Sequence, residues 1–139
     1  MFATVITPID QYRRVDTLTA VSQADPHGLV TLLFDGAIAA VMQARHAIAS
    51  ADTPTKLMSI SKAMRIVDEG LKASLQSDAD NGLAANLHAL YDHIVGRLLE
   101  ANVRNTEAPL EEAGQLLAEL RDAWIAIAPA GAPPTRLQA

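Results

Sequence analysis

The sequence predicts an all-α protein, folded as an antiparallel up-down four-helix bundle with a short N-terminal docking segment and a disordered C-terminal tail. Half of the 139 residues are hydrophobic, yet only 4% are aromatic. A chain in which alanine and leucine dominate favours helices over strands. Four segments also carry apolar residues at alternating spacings of three and four, which is the spacing of one helix face. Cap residues, prolines and a polar breaker separate these segments.

The first two helices are each predicted from a cap residue followed by a proline. Asp25 stands before a helix expected at 26–51, and Thr53 with Pro54 opens a helix expected at 54–77. Proline is tolerated at the first helical position, because the N–H that it lacks would have no hydrogen-bond partner there. The apolar stripe of the first helix is Val30, Phe34, Ala37, Val41, Ala44 and Ile48, and that of the second is Leu57, Ile60, Met64, Val67 and Leu71.

The third and fourth helices follow a polar break. Ser77 to Gly82 interrupts the pattern, and the third helix is expected at 82–105. The fourth is expected at 109–128, with its acidic residues in the first turn suited to the positive end of the helix dipole. Short connections make sequential helices antiparallel neighbours, which gives the up-down bundle.

The third helix carries two apolar stripes. The first consists of Leu83, Leu87, Leu90, Ile94, Leu98 and Ala101, and the second of Tyr91, Val95, Leu99 and Val103. One stripe is enough to bury a helix in its own bundle. The second therefore predicts a further neighbour or a partner.

The two ends of the chain lie outside the predicted bundle domain, which covers residues 25–128. In residues 1–24, Ile9 and Tyr12 can share an apolar face interrupted by Pro8, which indicates a segment that docks onto the bundle. Residues 129–139 are rich in proline and are expected to form a flexible tail.

Composition and charge exclude several classes of protein. A net charge of −5 with scattered basic residues argues against nucleic-acid binding. The chain has no cysteine, and its first residues lack the basic region of a signal peptide. No run of 18 uncharged apolar residues occurs, so no membrane insertion is expected. These features predict a cytoplasmic protein.

The sequence shows no catalytic or metal-binding pattern. A di-iron site in a bundle needs Glu-x-x-His on two helices, and no glutamate here has a histidine three residues on. His88 and His93 are five positions apart, which separates them around a helix. No phosphate loop or nucleophile motif occurs either. We expect no enzymatic activity, no cofactor and no metal.

Some residues have two interpretations at this stage. Gly36, Gly70, Gly96 and Gly114 lie inside helical patterns, either because helices pack closely there or because they open a groove for a partner. Asn102 has four hydrogen-bonding positions to satisfy beside an apolar stripe. It either braces the next loop or meets the backbone of a ligand. Tyr91 and Trp124 are interpreted as core anchors with a polar tip that reaches water, in preference to a direct role in binding.

Several blocks of the sequence resemble one known family in the same order. The block from Asn86 to Asn102 resembles the Asn-Leu…Leu-Tyr-Asp…Arg-Leu-Leu…Ala-Asn signature of the FliS flagellar secretion chaperones. Leu33-Phe34-Asp35-Gly36-Ala37 is similar to the family's Leu-(Phe/Tyr)-Asp-Gly-Ala motif. Further similar blocks are Ile9 to Leu29, Ile66 to Lys72 and Glu119 to Trp124, so the resemblance covers about residues 9 to 128.

The resemblance implies an all-helical export chaperone without enzymatic activity. Members of the family bind the C-terminal segment of flagellin in the cytoplasm, prevent its premature polymerisation and help deliver it to the flagellar type III export gate. In the family, the N-terminal segment can cover part of the client groove, and Ile9 and Tyr12 occupy the matching positions here.

The expected client-binding residues come from the N-terminal segment and the third helix. They are Ile9, Tyr12, Val15, Tyr91, Val95, Leu98, Leu99 and Asn102. The chain is expected to be a monomer or weak dimer. The alternative is a structural or regulatory helical bundle that uses its second apolar stripe to form a homodimer.

Overall fold

A computed structural model describes residues 25–75 and 82–127. The chain divides into two compact units, of which residues 30–126 form one. The other consists of residues 1–29 and 127–139, and the structure describes only 25–29 and 127 of it. The predicted docking segment at 1–24 and the predicted tail at 129–139 therefore lie outside the described residues, and the predicted domain boundaries stay predictions.

The described residues form four helices and no strand, as the sequence predicts. α1 spans Pro26–Ala49, α2 spans Thr53–Arg65, α3 spans Leu83–Arg104 and α4 spans Ala108–Ala126. α2 continues through a π-helical segment, Ile66–Leu71, and a 3-10 turn, Lys72–Ser74. All four predicted helices are present, and their first residues agree with the predicted starts to within one position.

The cap of α2 differs from the prediction by one residue. Asp52 is the N-cap, because its side chain accepts a hydrogen bond from the Thr55 N–H at 3.2 Å. Thr53 is already the first residue of the helix. An aspartate is at least as good a cap as a threonine, so the carboxylate takes the position.

The end of the second helix is the main departure from a regular α-helix. The sequence predicts one helix at 54–77, but hydrogen bonding changes at Ile66 to the π pattern and then to the 3-10 turn. A Cβ atom added to Gly70 in this segment would lie 3.1 Å from Leu33 Cδ2 on α1. The missing side chain thus allows the π segment to lie close to α1.

Contacts between helices define the order of the bundle. α1 meets the π segment through Gly36 and Ile66, and it meets α4 through Val41 and Gly114. α3 packs against both α2 and α4. Each helix in residues 30–126 therefore has its sequence neighbours beside it, with α4 returning to α1. The core consists of Phe34, Ala37, Val41, Ala44, Ile60, Ala63, Val67, Leu71, Tyr91, Ile94, Leu98, Ala101, Leu110, Ala113 and Leu117, with Ala40 beside them.

The helical glycines mostly serve close packing. Added Cβ atoms at Gly36 and Gly114 would lie 3.3 Å from side-chain atoms of the neighbouring helix. Gly70 is still tighter, whereas an added Cβ at Gly96 would meet nothing within 4 Å. The close-packing interpretation therefore holds for three of the four glycines, and Gly96 lies on an open surface.

α1 has the length and composition of a membrane span. It has 24 residues and a mean hydropathy of 1.4 over its most apolar window, 28% of which is buried. Buried helices of soluble bundles pass the same test, and α1 contributes Phe34, Ala37, Val41 and Ala44 to the core. The expectation that the chain inserts into no membrane stays a prediction.

Candidate functional site

One groove in the described residues lies between α1 and the second helix. Its cavity volume is about 760 Å³. We call it the α1–α2 groove, and its lining consists of Leu33, Leu57, Met58, Ser61, Lys62, Arg65, Ile66, Glu69 and Gly70. Leu33 and Ile66 pack against the core, while Leu57 and Met58 are 45% and 73% exposed. Apolar side chains thus face solvent along this groove.

A second groove lies on the other side of the same helix. This α2–α3 groove has a cavity volume of about 340 Å³ and is lined by Ser61, Met64, Arg65, Asp68, Glu69 and Val95. It shares Ser61, Arg65 and Glu69 with the α1–α2 groove. The two grooves therefore flank one ridge, formed by the exposed face of α2 and its π segment.

The predicted site residues on α3 have different surroundings. Val95 is half-buried and lines the α2–α3 groove, and Leu99 is 49% exposed one turn later on the same helix. Tyr91 and Leu98 belong to the core, with 4% and 0% of their surface exposed. A client cannot reach these two side chains while the bundle is closed, so neither is part of the surface that we propose below.

Ile9, Tyr12 and Val15 lie outside the described residues. Their expected contact with a client therefore stays a prediction.

In the structure, the residues of α3 divide between a buried and an exposed face differently from the two predicted stripes. Leu83, predicted to face inward, is 53% exposed, and Ala84 takes the buried position beside it. Tyr91, which the pattern places in the outer stripe, joins Ile94, Leu98 and Ala101 in the core, as its interpretation as a core anchor predicts. The outer stripe is real but shorter, because only Val95, Leu99 and Val103 remain outside the core.

Asn102 belongs to a group of hydrogen-bonded residues, with Lys56 and Asn105, at the end of α3. Its backbone oxygen accepts a hydrogen bond from Lys56 Nζ at 3.3 Å, and the same Nζ donates to Asn105 Oδ1 at 3.1 Å. Lys56 is only 6% exposed, and Asn105 has the left-handed conformation that ends the helix. A cation at a helix C-terminus is favoured by the helix dipole. The main chain of Asn102 therefore braces the α3–α4 loop, as one interpretation expected.

The side chain of Asn102 bears on the other interpretation, which is contact with a ligand. Its Oδ1 atom is buried and accepts no hydrogen bond from the described residues. A buried acceptor without a donor costs about 1–3 kcal/mol. A donor from a bound segment would remove that cost.

The residues of the α1–α2 groove were not among the predicted client contacts. Leu57 was assigned to the core stripe of the second helix, yet it is largely exposed. One signal was present in the sequence, since Leu57 and Met58 are adjacent. Two neighbouring positions of a helix point in different directions, so at least one of two adjacent large apolar residues must lie away from the centre of the stripe.

Ion pairs join α3 to the helices on both sides of it. Lys72 Nζ lies 2.7 Å from an oxygen of Asp92 and 2.8 Å from one of Asp68. The hydrogen bond from Lys72 lowers the pKa of Asp92. On the other side of α3, His93 and Arg97 both contact Glu112, and the hydrogen bond with His93 lowers the pKa of Glu112.

His88 and His93 each face one carboxylate rather than a cluster of ligands. Among the described residues, no group of three or more potential metal ligands exists.

The burial of Tyr91 makes the free energy of unfolding depend on pH. Burial raises the pKa of its hydroxyl to about 12 from the ordinary value of 10.0. The folded protein then holds the phenol proton at pH values where the unfolded chain loses it. We expect the free energy of unfolding to fall as pH rises from about 10 to about 12. Urea denaturation across this pH range measures the fall, which should be smaller in Tyr91→Phe, and an equal fall in both proteins would contradict the assignment.

Comparison with known proteins decides the family. The family described as "Flagellar protein FliS" matches residues 8–131. The chain belongs to the FliS family. It is 41% identical to the flagellar secretion chaperone FliS of Salmonella typhimurium over 121 residues, which cover 87% of this chain and 90% of the relative. It is 39% identical to FliSB of Pseudomonas aeruginosa, with 82% of this chain and 90% of the relative covered, and 38% identical to FliS of Escherichia coli, with 81% and 83% covered.

Membership of the FliS family confirms the resemblance stated from the sequence. The chain is a chaperone in flagellar export and not an enzyme, and a client protein of that export is its partner. The two grooves beside α2 are thus the candidate surface of a chaperone.

Proposed function

We propose that the chain binds the C-terminal segment of flagellin in the cytoplasm, prevents its premature polymerisation and helps deliver it to the flagellar type III export gate. The α1–α2 groove carries this proposal, because it exposes Leu57 and Met58 above a floor formed by Leu33 and Ile66. A contiguous apolar surface on a soluble bundle is typical of a partner site. The chain would act as a monomer or weak dimer.

The shape of the site suits a helical client. An amphipathic helix binds by laying its apolar face into a groove between helices. A segment that is disordered when free pays an ordering cost on binding, which a large apolar interface can offset. The α2–α3 groove, with Val95 and the neighbouring Leu99, extends the same surface to the opposite side of α2.

Residues 1–24 are proposed as a removable cover of this surface. Ile9, Tyr12 and Val15 would supply its apolar contacts, and Ile9 and Tyr12 are one helical turn apart. A cover that shares the site with the client lowers apparent affinity by the fraction of molecules left open. It would also shield the apolar groove from self-association.

Isothermal titration with a peptide of the flagellin C-terminus tests the proposal. We expect one peptide per chain, at micromolar affinity or tighter, with little dependence on salt because apolar burial dominates the interface. Deleting residues 1–24 should leave client affinity unchanged or modestly improved and should make the free protein aggregate more readily, as light scattering would show.

Two results would contradict these expectations. No binding of the full chain to the peptide would overturn flagellin as the client. Loss of binding on deletion, with the helical content of the bundle intact, would instead make Ile9 and Tyr12 direct client contacts and rule out a cover.

A further inference from the structure

Charged residues without ion-pair partners gather at the α1–α2 groove. Lys62, Arg65 and Glu69 all line it, and all three are exposed. None of them has an oppositely charged group within 4.0 Å among the described residues. Charges at the rim of an apolar groove steer a partner and fix its register.

Elsewhere on the bundle, basic residues are matched. Arg45 contacts Glu107 at 2.9 Å, Lys72 contacts two aspartates, Arg97 contacts Glu112 at 2.7 Å, and Arg121 contacts Asp35. Arg104 lies 3.9 Å from Glu100. Lys56 is buried and hydrogen-bonded at the end of α3. Within residues 25–75 and 82–127, Lys62 and Arg65 are therefore the lysine and arginine side chains without an ion-pair or hydrogen-bond partner.

Arg65 and Glu69 do not pair with each other. They are four positions apart, but the base precedes the acid, which is the less favourable order for an i,i+4 pair. Asp68 and Lys72 have the favourable order at the same spacing, and their charged atoms lie 2.8 Å apart. The groove thus has a basic stretch at Lys62 and Arg65 and an acidic residue farther along.

We propose that the α1–α2 groove selects an amphipathic helical segment of the client that places an acidic side chain against Lys62 and Arg65. A basic side chain of the same segment lies against Glu69, which is seven positions after Lys62 on the second helix. The apolar floor supplies affinity, and the three charges supply register and selectivity. This inference rests on the proposed function, since it treats the occupant as the C-terminal segment of flagellin.

The test combines charge reversal in the chain with charge reversal in the client. The probe is the flagellin C-terminal peptide, together with versions in which each acidic residue in turn is replaced by lysine. The double variant Lys62→Glu/Arg65→Glu should bind the unmodified peptide about tenfold more weakly, mainly through slower association, and high salt should reduce the difference. One lysine-substituted peptide should lose affinity for the unaltered chain and regain it with the double variant.

Arg104→Glu is the control, because Arg104 is exposed at the end of α3 and lines neither groove. It should leave peptide affinity within about twofold of the unaltered chain, and circular dichroism checks that every variant keeps its helices. Equal binding of the double variant and the unaltered chain, or loss without rescue by any substituted peptide, would overturn the charge-matching inference while leaving flagellin as the client. Failure of the unmodified peptide to bind the unaltered chain would overturn the proposed function and this inference together.

Discussion

Replacing Leu98 with alanine should lower the free energy of unfolding by about 2–5 kcal/mol, a large share of the stability of a small domain. Leu98 is fully buried and belongs to a core cluster to which all four helices contribute. Its truncation removes apolar contacts and leaves a cavity that the surrounding close-packed side chains fill only in part. Urea denaturation monitored by circular dichroism measures the change, and the midpoint should fall while the slope stays constant.

Leu99 is the matched control for this prediction. It is the next residue on the same helix and is 49% exposed, so Leu99→Ala should cost about 1 kcal/mol or less. The difference in stability between the two positions should be greater when a charged residue is introduced. Leu99→Glu should keep the helical content, whereas Leu98→Glu buries an unpaired carboxylate and should unfold the bundle. Similar losses at the two positions would contradict the orientation of α3 described here.

The number and the first residues of the helices could be predicted because local signals mark them. Proline at the start of α1, the cap and proline before α2, and the polar break before α3 each act within a few residues. The π segment could not be predicted in this way. Gly70 of this segment packs against Leu33 of α1, which is far from it in sequence, so no local signal marks the contact. Periodicity gives the face of a helix and not the point where its hydrogen bonding changes.

The helix phase on α3 was predicted less well than its length. Two stripes were recognised, but Tyr91 was placed on the outer one and Leu83 on the inner one. The two stripes adjoin on the helix surface, so small differences in rotation exchange residues at their common border. The rotation is set by packing against the neighbouring helices, which lie elsewhere in the sequence and leave no mark in the sequence of α3 itself.

Only part of the candidate surface consists of residues that were singled out from the sequence. The excess of apolar residues on α3 pointed to a partner surface, and Val95 and Leu99 do lie at one of the two grooves or beside it. The larger groove depends on how α1 and the π segment lie against each other. Leu33 and Gly70 are in contact there. Gly70 was singled out in the sequence as a glycine that packs closely or opens a groove, but nothing in the sequence showed that Leu33 is the residue it meets.

Met58→Gln should weaken binding of the flagellin C-terminal peptide by about 10- to 100-fold. Met58 is 73% exposed and lines the α1–α2 groove, so a client helix that fills the groove would bury it. Glutamine has nearly the same length and helix propensity as methionine, but its amide would be buried against apolar atoms at a cost of about 1–3 kcal/mol. The change adds no charge beside Lys62, so it tests the apolar contacts of the groove separately from the charges at its rim.

The same substitution at Met42 separates a groove effect from a general one. Met42 is 63% exposed and lies on the opposite side of α1, in a cleft toward α4 with Ile38 and Arg121. Met42→Gln should leave peptide affinity within about twofold, and neither variant should change the urea midpoint much, since both side chains are already in water. Isothermal titration compares the two variants with the unaltered chain. If Met42→Gln weakens binding as much as Met58→Gln does, the client also covers the α1–α4 face, and if neither does, the α1–α2 groove is not the client site.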